Sequence, residues 1–316
     1  MEDTILIIGA GGQIGVELAL ALRARYGNDR VIASDIKDPH PLLSDGPFVH
    51  LDVMDADAVR QVVQGKKVTQ IYLLAAILSA TGEKNPLWAW DINMKSLLSV
   101  LDICVQEKVS KLYWPSSIAV FGPTTPENHT PQKTVLEPTT VYGISKYAGE
   151  LWCQYYFNKY GLDVRSIRYP GLISWKSAPG GGTTDYAIDI YIEALQKGSY
   201  TCFLSENTYL PMMYMDDAIR ATIELMEAPK EQIRNRLAYN LGGISFSPAE
   251  IAASIRRHIP GFTISYAPDF RQAIADSWPN SIDDSEAHKD WGWKHEYDLE
   301  SMTSAMLENL KVKLAQ

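Results

Sequence analysis

The sequence predicts an α/β protein, a doubly wound parallel sheet followed by a smaller carboxyl-terminal substrate-binding lobe. Three observations carry that prediction. An apolar run at residues 5–8 leads into glycines and then into a helical pattern over 14–26, which reads as a strand buried on both faces, a tight turn and a helix. Strand-like and helix-like segments then alternate as far as Arg168, the pattern of parallel strands joined by crossover helices. Beyond Arg168 the alternation stops, and short elements without a repeat take over.

Taken in order, 31–35 reads as the second strand, 50–53 as the third and 71–76 as the fourth, with a helix over 56–64 between the last two. The apolar spacing over 87–105 predicts a long helix, followed by a strand at 111–115, a helix at 140–160 and a strand at 163–168. The loop 123–138 carries four prolines and reads equally as a flap over the site or as a surface connection. We therefore expect a cofactor domain over 1–170 and a substrate lobe over 171–316. The helical pattern at 216–226 and the strand-like run at 237–241 predict that 211–241 returns to the main domain.

Composition narrows the function. The chain has 316 residues, 46% hydrophobic and 21% charged, enough for a large core. A net charge of -9 argues against a nucleic acid partner, which requires a basic face. No apolar run reaches the roughly 18 residues of a membrane helix, so no membrane span is expected, and Met1 to Asp3 leads into a strand rather than a leader. Cys104, Cys153 and Cys202 lie far apart in apolar surroundings, which fits a reducing compartment, the cytoplasm being the simplest. The six histidines show no HExxH spacing, so no metal site is expected.

Gly9, Gly12 and Gly15 stand in a GxxGxxG spacing at the first strand-to-helix turn. Small residues there let the backbone approach a pyrophosphate, and the helix end offers N–H groups and a positive dipole. Asp35 closes the second strand, 20 residues after Gly15, where a carboxylate accepts bonds from both ribose hydroxyls and favours NAD. Nearby Lys37 keeps NADP open. Asp52 follows the third strand and serves either the adenine edge or a turn.

Tyr142 and Lys146 stand four apart in a helical segment, so their side chains project from one face. A phenol is a poor base at neutral pH, and an adjacent ammonium and a positive nicotinamide ring are expected to lower its pKa. Ser116 and Ser117 follow the strand at 111–115, placing hydroxyls at the end of the sheet where ligands of such folds bind. Ser117 is placed to hold the substrate oxygen.

Taken together, GxxGxxG, LLAA at 73–76, Asn93, SSIAVFG at 116–122, YGISK at 142–146 and RYPG at 168–171 resemble the extended short-chain dehydrogenases. The resemblance spans the whole length. It implies a Rossmann fold, catalysis by Ser117, Tyr142 and Lys146, and cofactor contacts from Gln13, Ile14, Leu74, Ala75, Ala76, Asn93 and Tyr169. The nucleotide-sugar epimerases and dehydratases of that superfamily usually end the corresponding strand in RYFN; this chain has Gly171 there, and LLAA lacks the histidine of HLAA.

The runs PGGGTTDYA at 179–187, PMMYMDDA at 211–218 and DFRQAIADSWPNSIDD at 269–284 resemble instead the zinc-free, short-chain L-threonine 3-dehydrogenase branch. That resemblance implies oxidation of L-threonine at C3 with NAD, Tyr142 as general base, Lys146 on the nicotinamide ribose, and Ser79, Thr184 and Trp278 in the substrate pocket. Trp278 serves equally as core packing, Thr184 as part of its turn, and 180–182 as a hinge or a rigid turn. The superfamily commonly dimerises through two helices, and the apolar surface of 88–105 and 152–160 leads us to expect a homodimer.

Overall fold

A computed structural model describes residues 3–176 and 182–315. Its chain starts with β1 (Ile5–Ile8), α1 (Gln13–Tyr26), β2 (Val31–Asp35), β3 (Phe48–His50), α2 (Ala56–Lys66) and β4 (Gln70–Leu73). There follow α3 (Ser79–Gly82), α4 (Pro86–Gln106), β5 (Lys111–Tyr113), β6 (Ser116–Ser117), α5 (Val141–Tyr160) and β7 (Asp163–Arg165). Strands β3, β2, β1, β4, β5 and β7 lie in that order in one parallel sheet. The order reverses between β1 and β4, and that switch point opens the crevice where ligands of such sheets bind.

Alternation along β1 decides which side chain enters which core. Ile5 and Ile7 face α1 and join Leu18, Leu22, Tyr72 and Tyr113, whereas Leu6 and Ile8 face the other way and join Val59, Leu97, Leu101 and Cys153. Both faces are covered, which is why β1 is apolar throughout.

The remainder comprises β8 (Ile167–Tyr169), β9 (Gly171–Ile173), α6 (Tyr186–Lys197), β10 (Ser199–Cys202), β11 (Leu210–Tyr214), α7 (Met215–Glu227), β12 (Tyr239–Asn240) and β13 (Ile244–Phe246). It ends with α8 (Pro248–His258), β14 (Thr263–Tyr266), α9 (Arg271–Ala275), α10 (Ser285–Trp291) and α11 (Leu299–Leu314). A separate core unites Tyr186, Ile190, Tyr191, Ile251, Ile255, Met306 and Trp278 with Ile118 to Phe121. Met215, Ala218, Leu225 and Tyr239 pack instead in the core of α1, as do Ala287 and Trp293.

Five strand predictions move on inspection, among them 111–115, which ends at Tyr113, and 237–241, which shortens to Tyr239–Asn240. The third strand lies at 48–50 rather than 50–53, because Asp52 bonds the Met54 N–H and turns the chain; Leu51, just past the strand, still donates its N–H to the Asp35 carbonyl, and Val53 is buried beyond it. The fourth strand ends at Leu73, earlier than expected. The segment 163–168 is two strands: β7 belongs to the main sheet, and after Ser166 the chain enters a second sheet ordered β12-β8-β6. The break between β5 and β6 contains Pro115, which has no N–H to give a ladder. The loop 123–138 docks on the carboxyl-terminal part, with Thr130 bridged to Ile282 and Asn280 donating to the Glu127 carbonyl, so it is a packed connection.

Candidate active site

The glycine turn is built from close approaches. Gly9 has φ +90°, and a Cβ there would lie 2.6 Å from the Ala75 nitrogen. A Cβ on Gly15 would collide with the Gly9 carbonyl. Gly12 differs: its Cβ would meet only that carbonyl, at 3.4 Å, so its exposed backbone faces open space. It is also the N-cap of α1 and offers no side-chain cap, leaving the first N–H groups of the helix free for an anion. Beside it the buried Gln13 Nε2 has no partner among the described residues. An uncapped helix end, a backbone open to close approach and an orphaned amide donor fit a dinucleotide pyrophosphate.

Asp35 stands at the edge of this turn, accepting from the Gly11 N–H at 2.9 Å and the Lys37 N–H at 3.0 Å. Its carboxylate is thus held against the glycine loop. Asp52 is exposed and bonds within its own turn. Asn93 on α4 accepts from the Ile77 N–H at 2.7 Å and donates to the Ile77 carbonyl and to Ser145 Oγ. Those three bonds tie the segment after β4 to α4 and α5.

Thr140 caps α5 through the Gly143 N–H, which fixes the first turn that carries Tyr142. Lys146, one turn on, is 3% exposed. Its Nζ donates to the Pro115 carbonyl at 2.6 Å, lies 4.3 Å from the centre of the Trp114 ring and 5.5 Å from that of Tyr142. Burial pushes the Tyr142 phenol up to about 12, opposed by the Ser117 hydroxyl. Burial also pushes Lys146 down to about 7, with the Cys153 and Glu150 side chains opposing.

Behind the lysine lies a buried ion pair. Glu150 receives two bonds from Arg168, at 2.9 and 2.7 Å, and a third from Ser116 Oγ at 2.6 Å. Ser116 therefore spends its hydroxyl on Glu150, while Ser117 keeps its own near Tyr142. The Tyr169 hydroxyl is engaged with Tyr113 at 2.7 Å and with Thr222.

One cavity of about 240 Å³ collects most of the predicted residues: Gly9, Gly12, Gln13, Ile14, Gly15, Leu74, Ala76, Ser79, Ser116, Ser117, Tyr142, Lys146, Tyr169, Thr184 and Trp278. Asp35, Asp52, Ala75 and Asn93 are not in its wall. Trp278 is 8% exposed and belongs both to the lobe core and to the cavity. Gly182 is also in the wall, while the rest of the expected hinge at 180–182 lies outside the described residues. Gly171 has its own reason: a Cβ there would strike Met212 Sδ and lie 2.7 Å from Thr184 Cγ2. Sequence reasoning missed Leu78, Pro115, Thr183 and Asp185 in the same wall. Thr183 and Thr184 are adjacent and chemically identical, so nothing in the sequence separates them.

Comparison with known proteins adds the following. The model of the NAD dependent epimerase/dehydratase family matches residues 5–242. The chain is 50% identical over 314 residues to an uncharacterized epimerase/dehydratase of Staphylococcus haemolyticus, covering 98% of each. Among solved structures it resembles a partial consensus L-threonine 3-dehydrogenase at 61% identity and a TM-score of 0.96, covering 98% of this chain and 99% of that one. It resembles a GalE-like L-threonine dehydrogenase from Cupriavidus necator, in its holo form, at 59% identity and 0.95, covering 97% and 99%. A monomeric L-threonine 3-dehydrogenase from a metagenome is 50% identical at 0.95, covering 99% and 100%.

Proposed function

The chain belongs to the NAD dependent epimerase/dehydratase family, and from that premise we propose that it oxidises L-threonine at the C3 hydroxyl to 2-amino-3-oxobutyrate with NAD. The observation that supports this reading most is a single cavity joining the uncapped glycine turn to Ser117, Tyr142 and Lys146, in a chain 59% identical to a threonine dehydrogenase. Gly12, Gln13 and the first turn of α1 hold the pyrophosphate, and Asp35 takes the adenosine ribose. NAD supplies the acceptor for the hydrogen and electron pair leaving C3.

The rest is done by the protein. Ser117 holds the substrate hydroxyl, and Tyr142 Oη takes its proton as the carbonyl forms. Lys146 supplies the positive charge that a phenolate requires, and its bond to Pro115 fixes where that charge sits. Ser79, Thr184 and Trp278 line the substrate end and exclude water.

The exposed Leu87 and Trp88 on α4, with Leu151, Trp152 and Tyr155 on α5, suit a homodimer with a twofold mate. Three buried free thiols, Cys104, Cys153 and Cys202, accord with a cytoplasmic location. No helix among the described residues is long and apolar enough to cross a membrane.

The test is NADH formation from NAD with L-threonine, beside L-serine and L-allo-threonine. Threonine is the preferred substrate, and Tyr142→Phe lowers kcat by roughly 100- to 10,000-fold while NAD binding is kept. Tight NAD binding with no oxidation of threonine sinks the reading.

A further inference from the structure

A second cavity, of about 750 Å³, shares no lining residue with the catalytic one. It lies where the connection 123–138, the part of α5 that carries Gln154 and Phe157, the segment between α7 and β12, and α10 come together. Among the described residues its wall holds five cations, Lys133, Arg168, Arg234, Arg236 and Lys289, against two carboxylates, Glu286 and Asp290. The whole chain has a net charge of -9, so this local excess of positive charge runs against the composition.

The nearby carboxylates do not neutralise it. Arg168 is met by Glu150, but Asp163 is divided between Arg165 and Arg236, at 2.8 and 2.7 Å. Asp290 lies 3.6 Å from Arg234 and also accepts from the Tyr239 hydroxyl. Lys133 and Lys289 are exposed and enter no ion pair among the described residues. Arg236 is the built part of the wall. It is 9% exposed, its guanidinium lies 4.0 Å from the centre of the Phe157 ring, and it gives one N–H to Asp163 and one to the Lys230 carbonyl. Its Nε and a second hydrogen on each terminal nitrogen remain for a further acceptor, on a fork already held in place.

We propose that this cavity is a binding site for the phosphate chain of a small anionic ligand. A single carboxylate occupies one guanidinium fork. The cations here come from separate segments, Lys133 from the connection 123–138, Arg234 and Arg236 from the stretch before β12, and Lys289 from α10, and a ligand carrying several charges in a row engages them together. The volume is that of a small-molecule site, whereas a nucleic acid backbone needs an extended basic face. Leu136, Tyr147 and Leu237 in the same wall offer apolar surface to the body that carries the phosphates. The site stands apart from the catalytic cavity and does not depend on the threonine reading.

The experiment is titration calorimetry at roughly 0.15 M salt, where distant surface charges are screened, on protein saturated with NADH so that the dinucleotide cleft is filled. The probes are inorganic tripolyphosphate, guanosine triphosphate and guanosine. Wild type is expected to bind tripolyphosphate one to one, and Arg234→Gln combined with Lys289→Gln to weaken that binding roughly tenfold or more. Lys133→Gln, on a different segment, should weaken it in the same direction. Lys66→Gln combined with Lys67→Gln removes as much charge from exposed positions at the end of α2 and should leave binding unchanged. Guanosine triphosphate binding more tightly than tripolyphosphate assigns the apolar wall to a nucleoside; the reverse order assigns the site to the phosphate chain alone. No binding of either phosphate to wild type, equal weakening by the two double variants, unchanged binding in Lys133→Gln, or guanosine binding as tightly as its triphosphate would each overturn the proposal. Unchanged NADH affinity in the variants separates a lost site from a lost fold.

Discussion

Lys146 sits between two opposed demands. Burial favours a neutral amine, whereas the Pro115 carbonyl and the Trp114 ring favour an ammonium. With its pKa pushed from 10.5 down to about 7, the folded protein releases the proton in a range where the unfolded chain still holds it. Linkage then fixes the sign: stability rises with pH between those two values and levels off beyond them. In protein without nucleotide, Lys146→Met should abolish that rise, which urea unfolding at a series of pH values measures directly. An identical slope in the two proteins would mean that Pro115 and Trp114 keep the lysine charged throughout. Asp35 and Asn93 show the same economy of placement. Each is held by short-range bonds, Asp35 against the glycine turn and Asn93 across three segments, so each orders the site before any ligand arrives.

At the scale of elements, α5 matters most, because it carries both Tyr142 and Lys146 and must lie very close to the segment that carries Ser117. Two glycines make that approach. A Cβ on Gly143 would collide with the Ala119 carbonyl, and one on Gly149 with the Trp114 ring. Gly149→Ala is therefore expected to destabilise the protein by about 1–3 kcal/mol through overpacking, read from the urea midpoint, and to lower kcat by displacing the helix. Gly65→Ala is the control: nothing lies within 4 Å of its Cβ position, and a helical alanine should stabilise by about 0.5–1 kcal/mol. Much of this was legible in the sequence, because a glycine turn and a tyrosine-lysine pair are encoded by neighbours along the chain. The periodicity of α1, α4 and α5 was legible for the same reason. What stayed hidden depends on distant partners: the break at Ser166 arises because β8 pairs with β6 and β12, and the Glu150–Arg168 pair joins residues on different elements. Burial hid Thr183 as well, since its place in the wall is a property of the packed cavity alone.

At the scale of the whole molecule, the cavity draws its wall from the sheet ends, from α5 and from the lobe, with Trp278 fixed in the lobe core. Catalysis accordingly depends on the lobe keeping its position relative to the sheet. The proposed twofold contact lies on a different surface, that of α4 and α5, where Leu87 is 80% exposed. Replacing Leu87 and Leu151 by Glu should convert a dimer to a monomer in sedimentation while leaving NAD binding in place, since neither residue lines the cavity. A wild-type protein that already sediments as a monomer would end the dimer proposal.

The packing around Gly171 bears on how such a pocket changes over evolutionary time. An asparagine at that position requires both Thr184 and Met212 to withdraw, because both occupy the space that its first carbon needs. A change between a pocket of this kind and one that ends the strand in asparagine is thus coupled to positions 184 and 212. Movement of both side chains has to accompany the change, and movement of Thr184 disturbs the existing pocket, whose wall it forms. A single glycine in this way ties the start of β9 to the packing of two neighbouring side chains.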